Sequence, residues 1–258
     1  MTPNIRRSLR KFAPQFLEAR EKAVNEADTV DRLRNFFEDV LGYESTEDIT
    51  RETQMKHKFV DLCLKINGTI RLLVEAKAAN VKLRDRHIEQ AESYASRNNY
   101  QWVVLTNGVD WHLYHLTFDE GIEYEPAFIV SLDTEEELEA AAEKLALIHK
   151  ESIRKGELDK FWEKATAMCA GSIGKALFTE SVMRLLRREI RRTCGVLIDP
   201  EDIAKSLHGL LSEDARVEIG PVRIRKKRKK RVASKTSTKP SETATAVTQS
   251  APSGQKKL

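Results

Sequence analysis

The fold is decided by VDLCLKINGTIRLLVEAK, residues 60–77. In both halves of this segment the even-numbered positions are apolar, and in the second half the odd-numbered positions are mostly polar or charged. Such alternation with a period of two is typical of strands with one buried face. The dipeptide Asn67-Gly68 lies between the two halves and is a strong signal for a hairpin turn. The segment therefore predicts two antiparallel strands.

The loop length of this hairpin determines which side chains share a face. A two-residue loop would turn Asp61 away from Glu75, whereas a three-residue loop with a bulge and a left-handed Gly68 pairs Lys65 with Thr69. A one-residue change in the pairing of the strands would move every side chain of one strand to the other face of the sheet. Burial of the apolar side chains on one face therefore favours the three-residue loop. This register places the charged side chains together on a solvent-filled side. It places on the other face Val60, Leu62, Leu64, Ile70, Leu72 and Val74.

The charged side chains of the hairpin have the composition of a metal-dependent hydrolytic site. Mg²⁺ binds oxygen ligands and keeps several waters, so one or two carboxylates suffice together with substrate phosphates. We expect Asp61 and Glu75 to be metal ligands, with the Ala76 carbonyl, and Lys77 to orient or deprotonate the attacking water. From these residues alone, a solvated strand face with an ordinary Glu–Lys ion pair is the alternative.

Further motifs accompany the hairpin in a fixed order: Asn25-Glu-Ala-Asp-Thr29, Leu41-Gly-Tyr43, Gln90-Ala-Glu-Ser-Tyr94, Leu105-Thr-Asn-Gly108, Trp111 and Tyr114. From Asn25 to Leu116 their order and spacing resemble the PD-(D/E)xK nuclease superfamily, most closely the N-terminal nuclease domain of type I restriction enzyme R subunits. Val60 stands where that superfamily has proline. The resemblance implies a restriction-endonuclease-like core, cleavage of DNA with Mg²⁺ or Mn²⁺, and other subunits of a restriction or defence system as candidate partners.

The resemblance also implies roles for three residues outside the hairpin. Gln90 and Tyr94 are four residues apart on a predicted helix, so they share a face. The resemblance places them beside the nuclease site and implies that they support cleavage through contacts with DNA. The alternative is a packing helix with a partly buried Tyr94. Glu26 corresponds to a glutamate that reaches the metal site, although an acidic residue in the first turn of a helix also complements the helix dipole.

The remaining pattern predicts an α/β protein, with a mixed sheet flanked by helices and a helical extension. We expect a nuclease-like domain over 1–133, a helical extension over 134–220, and a basic tail over 221–258. Thr134 is expected to cap a helix with core positions Leu138, Ala141, Leu145 and Ile148. The other predicted elements are helices over 5–22, 158–169, 177–193 and 200–211, and strands over 48–54, 102–106 and 111–116.

Charge is divided unevenly along the chain. From Pro221 onward there are twelve Lys or Arg residues and one acid. The whole chain carries +4, so residues 1–220 carry −7. The basic run over 223–231 lies in a segment with few apolar residues, which predicts disorder and contact with DNA phosphates.

Several classes of protein do not fit the sequence. It contains no run of eighteen apolar residues and no apolar secretory segment, so we expect no membrane span. Its three cysteines lack CxxC spacing, which favours a reducing, cytoplasmic setting over a zinc site. No phosphate-loop motif of an ATP-driven motor is present. Two hypotheses remain: a metal-dependent DNA endonuclease, and a nuclease-fold binding or scaffold protein that grips DNA without cutting it.

Overall fold

The computed structural model describes residues 2–51, 60–118, 121–222 and 224. The chain divides into two compact units, Met1–Ile173 and Gly174–Leu258. The proposed division into three domains at 133 and 220 stays a prediction. The basic tail from residue 225 onward lies outside the described residues, as do 52–54 of the strand expected over 48–54.

The described residues contain ten α-helices and six strands. The helices are α1 (Thr2–Glu21), α2 (Glu26–Asp39), α3 (Glu89–Asn98), α4 (Glu135–Leu145), α5 (Lys150–Arg154), α6 (Glu157–Met168), α7 (Ala170–Leu177), α8 (Glu180–Cys194), α9 (Pro200–Gly209) and α10 (Glu213–Ile219), with short 3₁₀ helices at Asp85–His87 and Ala146–Ile148. The strands are β1 (Ile49–Arg51), β2 (Leu62–Ile66), β3 (Thr69–Ala76), β4 (Trp102–Thr106), β5 (Asp110–Thr117) and β6 (Glu123–Ser131).

The strands form one mixed sheet in the order β1-β2-β3-β4-β5-β6. The pair β3 and β4 is parallel, and the other neighbours are antiparallel. A parallel pair needs a crossover connection, and here the connection contains α3. The predicted α/β class with a mixed sheet flanked by helices is confirmed. The strand β6 was not predicted, because its exposed glutamates and Pro126 hide the apolar alternation of an edge strand.

The turn between β2 and β3 corrects the predicted loop. Ile66 pairs directly with Thr69, so the turn contains two residues and not three. Asn67 and Gly68 have φ angles of 52° and 77°. Two successive left-handed residues are what a type I′ turn requires, and this turn matches the twist of the flanking strands.

A bulge inside the hairpin restores the predicted arrangement of faces. The register shifts between Leu64 and Lys65, after which Leu62 lies opposite Val74. The even-numbered apolar residues beyond the bulge therefore share one core, as predicted. Ile70 pairs with Lys65, between the turn and the bulge. It packs against the core on the opposite face, so its predicted position is wrong. Val60 precedes β2 and is also buried in that second core.

Both faces of the sheet are covered, although the hairpin pattern predicted only one buried face. The larger core packs α1, α2 and α4 against one face, and the smaller core packs α3 against the other. Cys63 and Leu73 are buried in the smaller core. The physical reason is the parallel pair, since its crossover helix must lie on a face of the sheet.

The predicted helix flanking the hairpin on the N-terminal side is confirmed. Asn25 caps α2, and its side chain accepts a hydrogen bond from the Asp28 N–H. The helix buries Phe36 and Phe37 in the larger core, where both rings pack against Trp111. These contacts fix α2, which begins at Glu26, against the face of the sheet that the larger core covers.

The predicted cap of α4 is confirmed as well. Thr134 accepts a hydrogen bond from the Glu137 N–H, and the Glu137 carboxylate accepts one from the Thr134 N–H. This reciprocal pair is a capping box. Of the four predicted core positions, Leu138, Ala141 and Leu145 are buried in α4, and Ile148 is buried in the 3₁₀ helix that follows it.

The second unit is helical, with an apolar cluster formed around Phe178, Met183 and Ile203. The predicted helix over 177–193 is observed as α8 and follows the separate helix α7. The helix predicted over 200–211 is observed as α9, which ends at Gly209, and Leu210 beyond it is 82% exposed. In the described part of the chain, no helix is both long and apolar enough to cross a membrane.

Candidate active site

The candidate site lies where β3 ends beside β4. Glu75 pairs with Leu105 in the parallel ladder. One residue beyond the strand, the Lys77 N–H donates a hydrogen bond to the Thr106 carbonyl over 2.8 Å. The backbone that carries Glu75 and Lys77 is therefore held by the central strands of the sheet, which makes it a rigid platform for side chains.

Asp61 reaches this platform from the start of β2. It is half-buried, and its Oδ2 accepts a hydrogen bond from the Ala76 N–H over 2.7 Å. The bond ties the Asp61 carboxylate to the backbone between Glu75 and Lys77. The hairpin register therefore brings Asp61 and Glu75 to the same place, as the sequence predicts.

Glu75 is the most buried charged residue of the site. Its side chain is 1% exposed, and Oε1 accepts a hydrogen bond from Lys77 Nζ over 2.6 Å. The other oxygen, Oε2, is buried and has no hydrogen-bond partner among the described residues. The expectation that Glu75 lies on a solvent-filled face is wrong. Leu73, two residues earlier on the same face of β3, is buried in the smaller core that α3 covers. A buried carboxylate oxygen without a partner is costly unless a ligand satisfies it.

Lys77 connects the two strands to the start of α2. Its side chain is 16% exposed, and Nζ lies 3.4 Å from Glu26 Oε2. The loop after Lys77 is held close to the loop before α2, since the Ala79 N–H donates a hydrogen bond to the Val24 carbonyl over 3.1 Å. Glu26, Glu75 and Lys77 therefore form one charged cluster.

Burial shifts the ionisation of this cluster. Burial, together with repulsion from Asp61, raises the pKa of Glu75 to about 7, although the Lys77 hydrogen bond and charge oppose the shift. Burial also disfavours the charged form of Lys77. The hydrogen bond to Glu75 and the surrounding carboxylates outweigh that effect, so the pKa of Lys77 is raised. At neutral pH the ammonium is charged, and the buried carboxyl is close to its midpoint of ionisation.

These residues fit a divalent cation that also binds water or phosphate. In the described ranges, no group of three or more His, Cys, Asp or Glu side chains is arranged to hold a metal ion. Asp61 and Glu75 supply a pair of carboxylates, however, and the unpartnered Glu75 Oε2 is an available hard oxygen ligand. Mg²⁺ is commonly held by one or two carboxylates plus substrate phosphates. The donor set therefore fits such an ion, with Glu26 close by.

The helix α3 carries the other two predicted site residues. Gln90 lies in its first turn, and its side chain is outside what the structure describes. Tyr94 is buried in the smaller core, and its ring packs against Tyr100 with centroids 6.1 Å apart. Ile88 and Ala91 are fully buried beside it. Tyr94 thus supports the face of the sheet that carries Glu75, and its role in DNA contact stays a prediction.

The Thr106-Asn107-Gly108 motif positions the loop that follows Lys77. Asn107 Oδ1 accepts hydrogen bonds from the Val109 and Asp110 N–H groups, which closes the turn between β4 and β5. Its Nδ2 donates to the Val81 carbonyl over 2.9 Å. Gly108 has a φ of 92°, and a Cβ there would lie 2.3 Å from the Phe16 ring. Asn107 is therefore a positioning residue for the site, which its motif alone did not reveal.

A basic loop next to the site was missed by the sequence reasoning. Between β3 and α3 the side chains of Lys82, Arg84 and Arg86 are exposed. His87 follows them, and its pKa is lowered by burial and by the charges of Arg86, Lys77 and Arg84. The loop begins a few residues after Lys77, and the Val81 carbonyl at its start is held by Asn107. The signal in the sequence was the alternation of cations in Lys82-Leu-Arg-Asp-Arg86.

The comparison with protein families agrees with the position of this site. Residues 33–127 match the family model of the type I restriction enzyme R protein N terminus. This part of the chain resembles that nuclease domain. The R-protein-like segment begins within α2, ends within β6, and includes Asp61, Glu75 and Lys77. Glu26 lies before it.

No curated protein and no solved structure gives a significant match to the chain. The R-protein resemblance therefore stands on the family model and on the geometry of the carboxylate cluster. It indicates a restriction-related nuclease, a class of protein that acts on DNA.

Proposed function

We propose that this protein is a metal-dependent DNA endonuclease of a restriction or defence system. The observation that carries the proposal is the cluster at the end of β3. There the carboxylates of Asp61 and Glu75 approach one another beside the Lys77 ammonium, and Glu75 Oε2 is buried without a partner among the described residues. An ordinary surface ion pair has no reason to bury a carboxylate oxygen in this way.

Each residue of the cluster has a distinct part in the proposed hydrolysis. Asp61 and Glu75 would hold Mg²⁺ or Mn²⁺, with the Ala76 carbonyl and Glu26 as further candidate ligands. The bound ion would stabilise charge on the phosphate and lower the pKa of a bound water. Lys77 is charged at neutral pH, so it orients the attacking water and stabilises negative charge on the scissile phosphate. Gln90 is a candidate for contact with DNA beside the site.

The basic loop gives the acidic unit a local attraction for the substrate. Residues 1–173 carry a net charge of −7, which repels DNA at long range. Lys82, Arg84 and Arg86 are exposed cations in the loop that follows Lys77. We infer that they contact the phosphates that flank the cleaved bond, since cations of this kind fix the position of the backbone without reading sequence.

The direct test is incubation of purified protein with supercoiled plasmid and Mg²⁺ or Mn²⁺. We expect nicked or linear products with metal and none with EDTA. Asp61→Asn keeps an acceptor for the Ala76 N–H, and Glu75→Gln keeps the shape of the buried side chain, so both should fold and lose cleavage. Glu125→Gln, at an exposed position on β6, is the matched control and should cut normally.

Two results would count against the endonuclease. One is cleavage by Glu75→Gln at the normal rate, which would remove Glu75 from the site. The other is tight DNA binding by a folded wild-type protein that cuts with neither metal. That outcome would support the alternative, a nuclease-fold protein that binds DNA without cutting it.

A further inference from the structure

The helix α8 carries five arginines along one side. Their spacing is i, i+3, i+4, i+7 and i+8, which places residues on one face of an α-helix. The opposite side is apolar, and Met183, Leu186 and Ile190 pack in the core of the second unit. The arginine stripe, as we call this face, consists of Arg184, Arg187, Arg188, Arg191 and Arg192.

The stripe carries more positive charge than the glutamates of α8 neutralise. Arg184 pairs with Glu180, while Arg188 and Arg192 share Glu189. These three arginine side chains are nevertheless 74%, 73% and 75% exposed, respectively. Arg187 and Arg191 make no ion pair within the described residues. Five arginines against two glutamates leave an excess of three positive charges on a single helix.

The stripe adjoins the start of the basic tail. A groove of about 700 Å³ lies in the second unit, and its lining includes Arg184, Arg187, Val222 and Ile224. Three acidic residues also line it: Glu180, Asp199 and Glu201. Val222 and Ile224 also pack against the apolar core of this unit. Val222 and Ile224, the described residues on either side of position 223, therefore lie beside the stripe. Within the groove, the Arg187 Nε is buried and has no hydrogen-bond partner among the described residues.

We propose that the arginine stripe binds the phosphate backbone of duplex DNA. From Arg184 to Arg192 the helix rises about 12 Å, over which one DNA strand presents about three phosphates. Guanidinium groups suit phosphates because they present several donors in one plane. The choice of DNA as the polyanion rests on the proposed nuclease function, whereas the recognition of phosphate rests on the stripe itself.

Charge complementarity favours this occupant. Residues 174–220 contain eight basic and eight acidic residues. The unit as a whole is therefore neutral before the tail, and its positive charge is concentrated on α8. A surface of this kind attracts a polyanion locally and binds it without sequence preference, with an affinity that falls as salt displaces the protein.

The test measures binding and not cleavage. Fluorescence anisotropy of a labelled duplex, in EDTA, compares the full-length wild type with the double variant Arg187→Gln and Arg191→Gln. These two arginines have no acidic partner, so their replacement breaks no ion pair within the described residues. For the glutamine variant we expect the slope of log affinity against log salt to be shallower by about two. The ratio of wild-type affinity to variant affinity should therefore fall about twelvefold between about 50 mM and about 200 mM salt.

Two further variants separate the stripe from other causes. Arg187→Lys with Arg191→Lys keeps both charges and should retain most of the affinity. Lys155→Gln with Lys160→Gln removes two exposed charges from the first unit and should change binding little. Circular dichroism verifies that each variant is folded.

The proposal is overturned if the glutamine variant binds the duplex with wild-type affinity and salt slope. It is also overturned if the lysine variant loses as much as the glutamine variant, or if the control in the first unit does so. Because the assay contains no divalent metal, a protein that never cuts DNA can still pass it. Failure of the nuclease proposal and failure of the stripe are therefore distinguishable.

Discussion

Glu75→Gln should stabilise the folded protein while it removes cleavage. The raised pKa of Glu75 means that the folded state binds its proton more tightly than the unfolded chain does. Below the unfolded pKa of 4.5 both states are protonated, and the side chain contributes no difference. As pH rises from there through about 7, the unfolded state ionises first, and the folded state loses relative stability. Glutamine resembles the protonated carboxyl and does not titrate.

The expected size follows from the two pKa values. A shift from 4.5 to about 7 corresponds to about 3 kcal/mol at pH values above both. Glu75 is only 1% exposed, so solvent screening reduces this value little. The free energy of unfolding of Glu75→Gln should match that of the wild type near pH 4 and exceed it by about 3 kcal/mol near pH 8.5.

Urea titrations at several pH values, in EDTA, measure this difference. All three tryptophans of the chain, Trp102, Trp111 and Trp162, lie in the first unit, so their fluorescence reports on the unit that contains Glu75. Glu125→Gln on the exposed edge strand is the control and should show no such pH dependence. The wild type should recover stability when Mg²⁺ or Mn²⁺ is added, and Glu75→Gln should not.

A stability difference that stays flat from pH 4 to 8.5 would refute the reasoning, because it would mean that Glu75 is not strained in its ionised form. A glutamine variant less stable than the wild type at high pH would also refute it. That result would mean that the ion pair with Lys77 stabilises the folded protein by more than burial of the Glu75 carboxylate destabilises it.

Three further predictions concern the metal, the lysine and the tail. Because a metal must displace the proton of Glu75, calorimetry should show metal affinity rising up to about tenfold per pH unit below pH 7 and levelling above it; no pH dependence would exclude Glu75 as a ligand. Lys77→Ala should lower the single-turnover rate more than metal affinity when both are compared over a range of pH, because loss of Lys77 also raises the pKa of Glu75; equal losses at every pH would make Lys77 a structural partner of Glu75. Deletion of 225–258, which keeps the packed Val222 and Ile224, removes eleven Lys or Arg residues and should make the salt slope of DNA binding much shallower; an unchanged slope would mean that the tail does not contact DNA.

The sequence predicts most of the fold because its strongest signals are local. The alternation in β2 and β3, the Asn67-Gly68 turn and the Thr134 cap each involve neighbours in the chain. A bulge was predicted at the loop, but its position between Leu64 and Lys65 was missed, as was the edge strand β6, since both depend on partners that only the sheet supplies. Burial of the second face of the sheet was missed for the same reason, because the alternation in β3 does not show that α3 crosses over it.

The site shows the same division between local and long-range information. The spacing of Glu75 and Lys77 along the chain predicts that they share a face. In the structure, Lys77 Nζ lies 2.6 Å from Glu75 Oε1. The orphaned Glu75 oxygen, the hydrogen bond from Ala76 to Asp61, and the tie from Asn107 to the loop after Lys77 depend on tertiary packing. No spacing rule contains them, so the sequence predicted the reacting groups but not the environment that sets the pKa of Glu75.

The division of charge separates affinity from catalysis in this protein. The carboxylates that would hold the metal lie in a unit of net charge −7, and any additional acid there would weaken DNA binding. The excess of positive charge lies instead in the sequence of the tail and, within the second unit, on the arginine stripe. Substitutions in the carboxylate cluster should therefore change the rate of cleavage at saturating protein and leave DNA affinity in EDTA nearly unchanged. Substitutions in the stripe should do the reverse, because counterion release contributes to binding but not to the bond-breaking step.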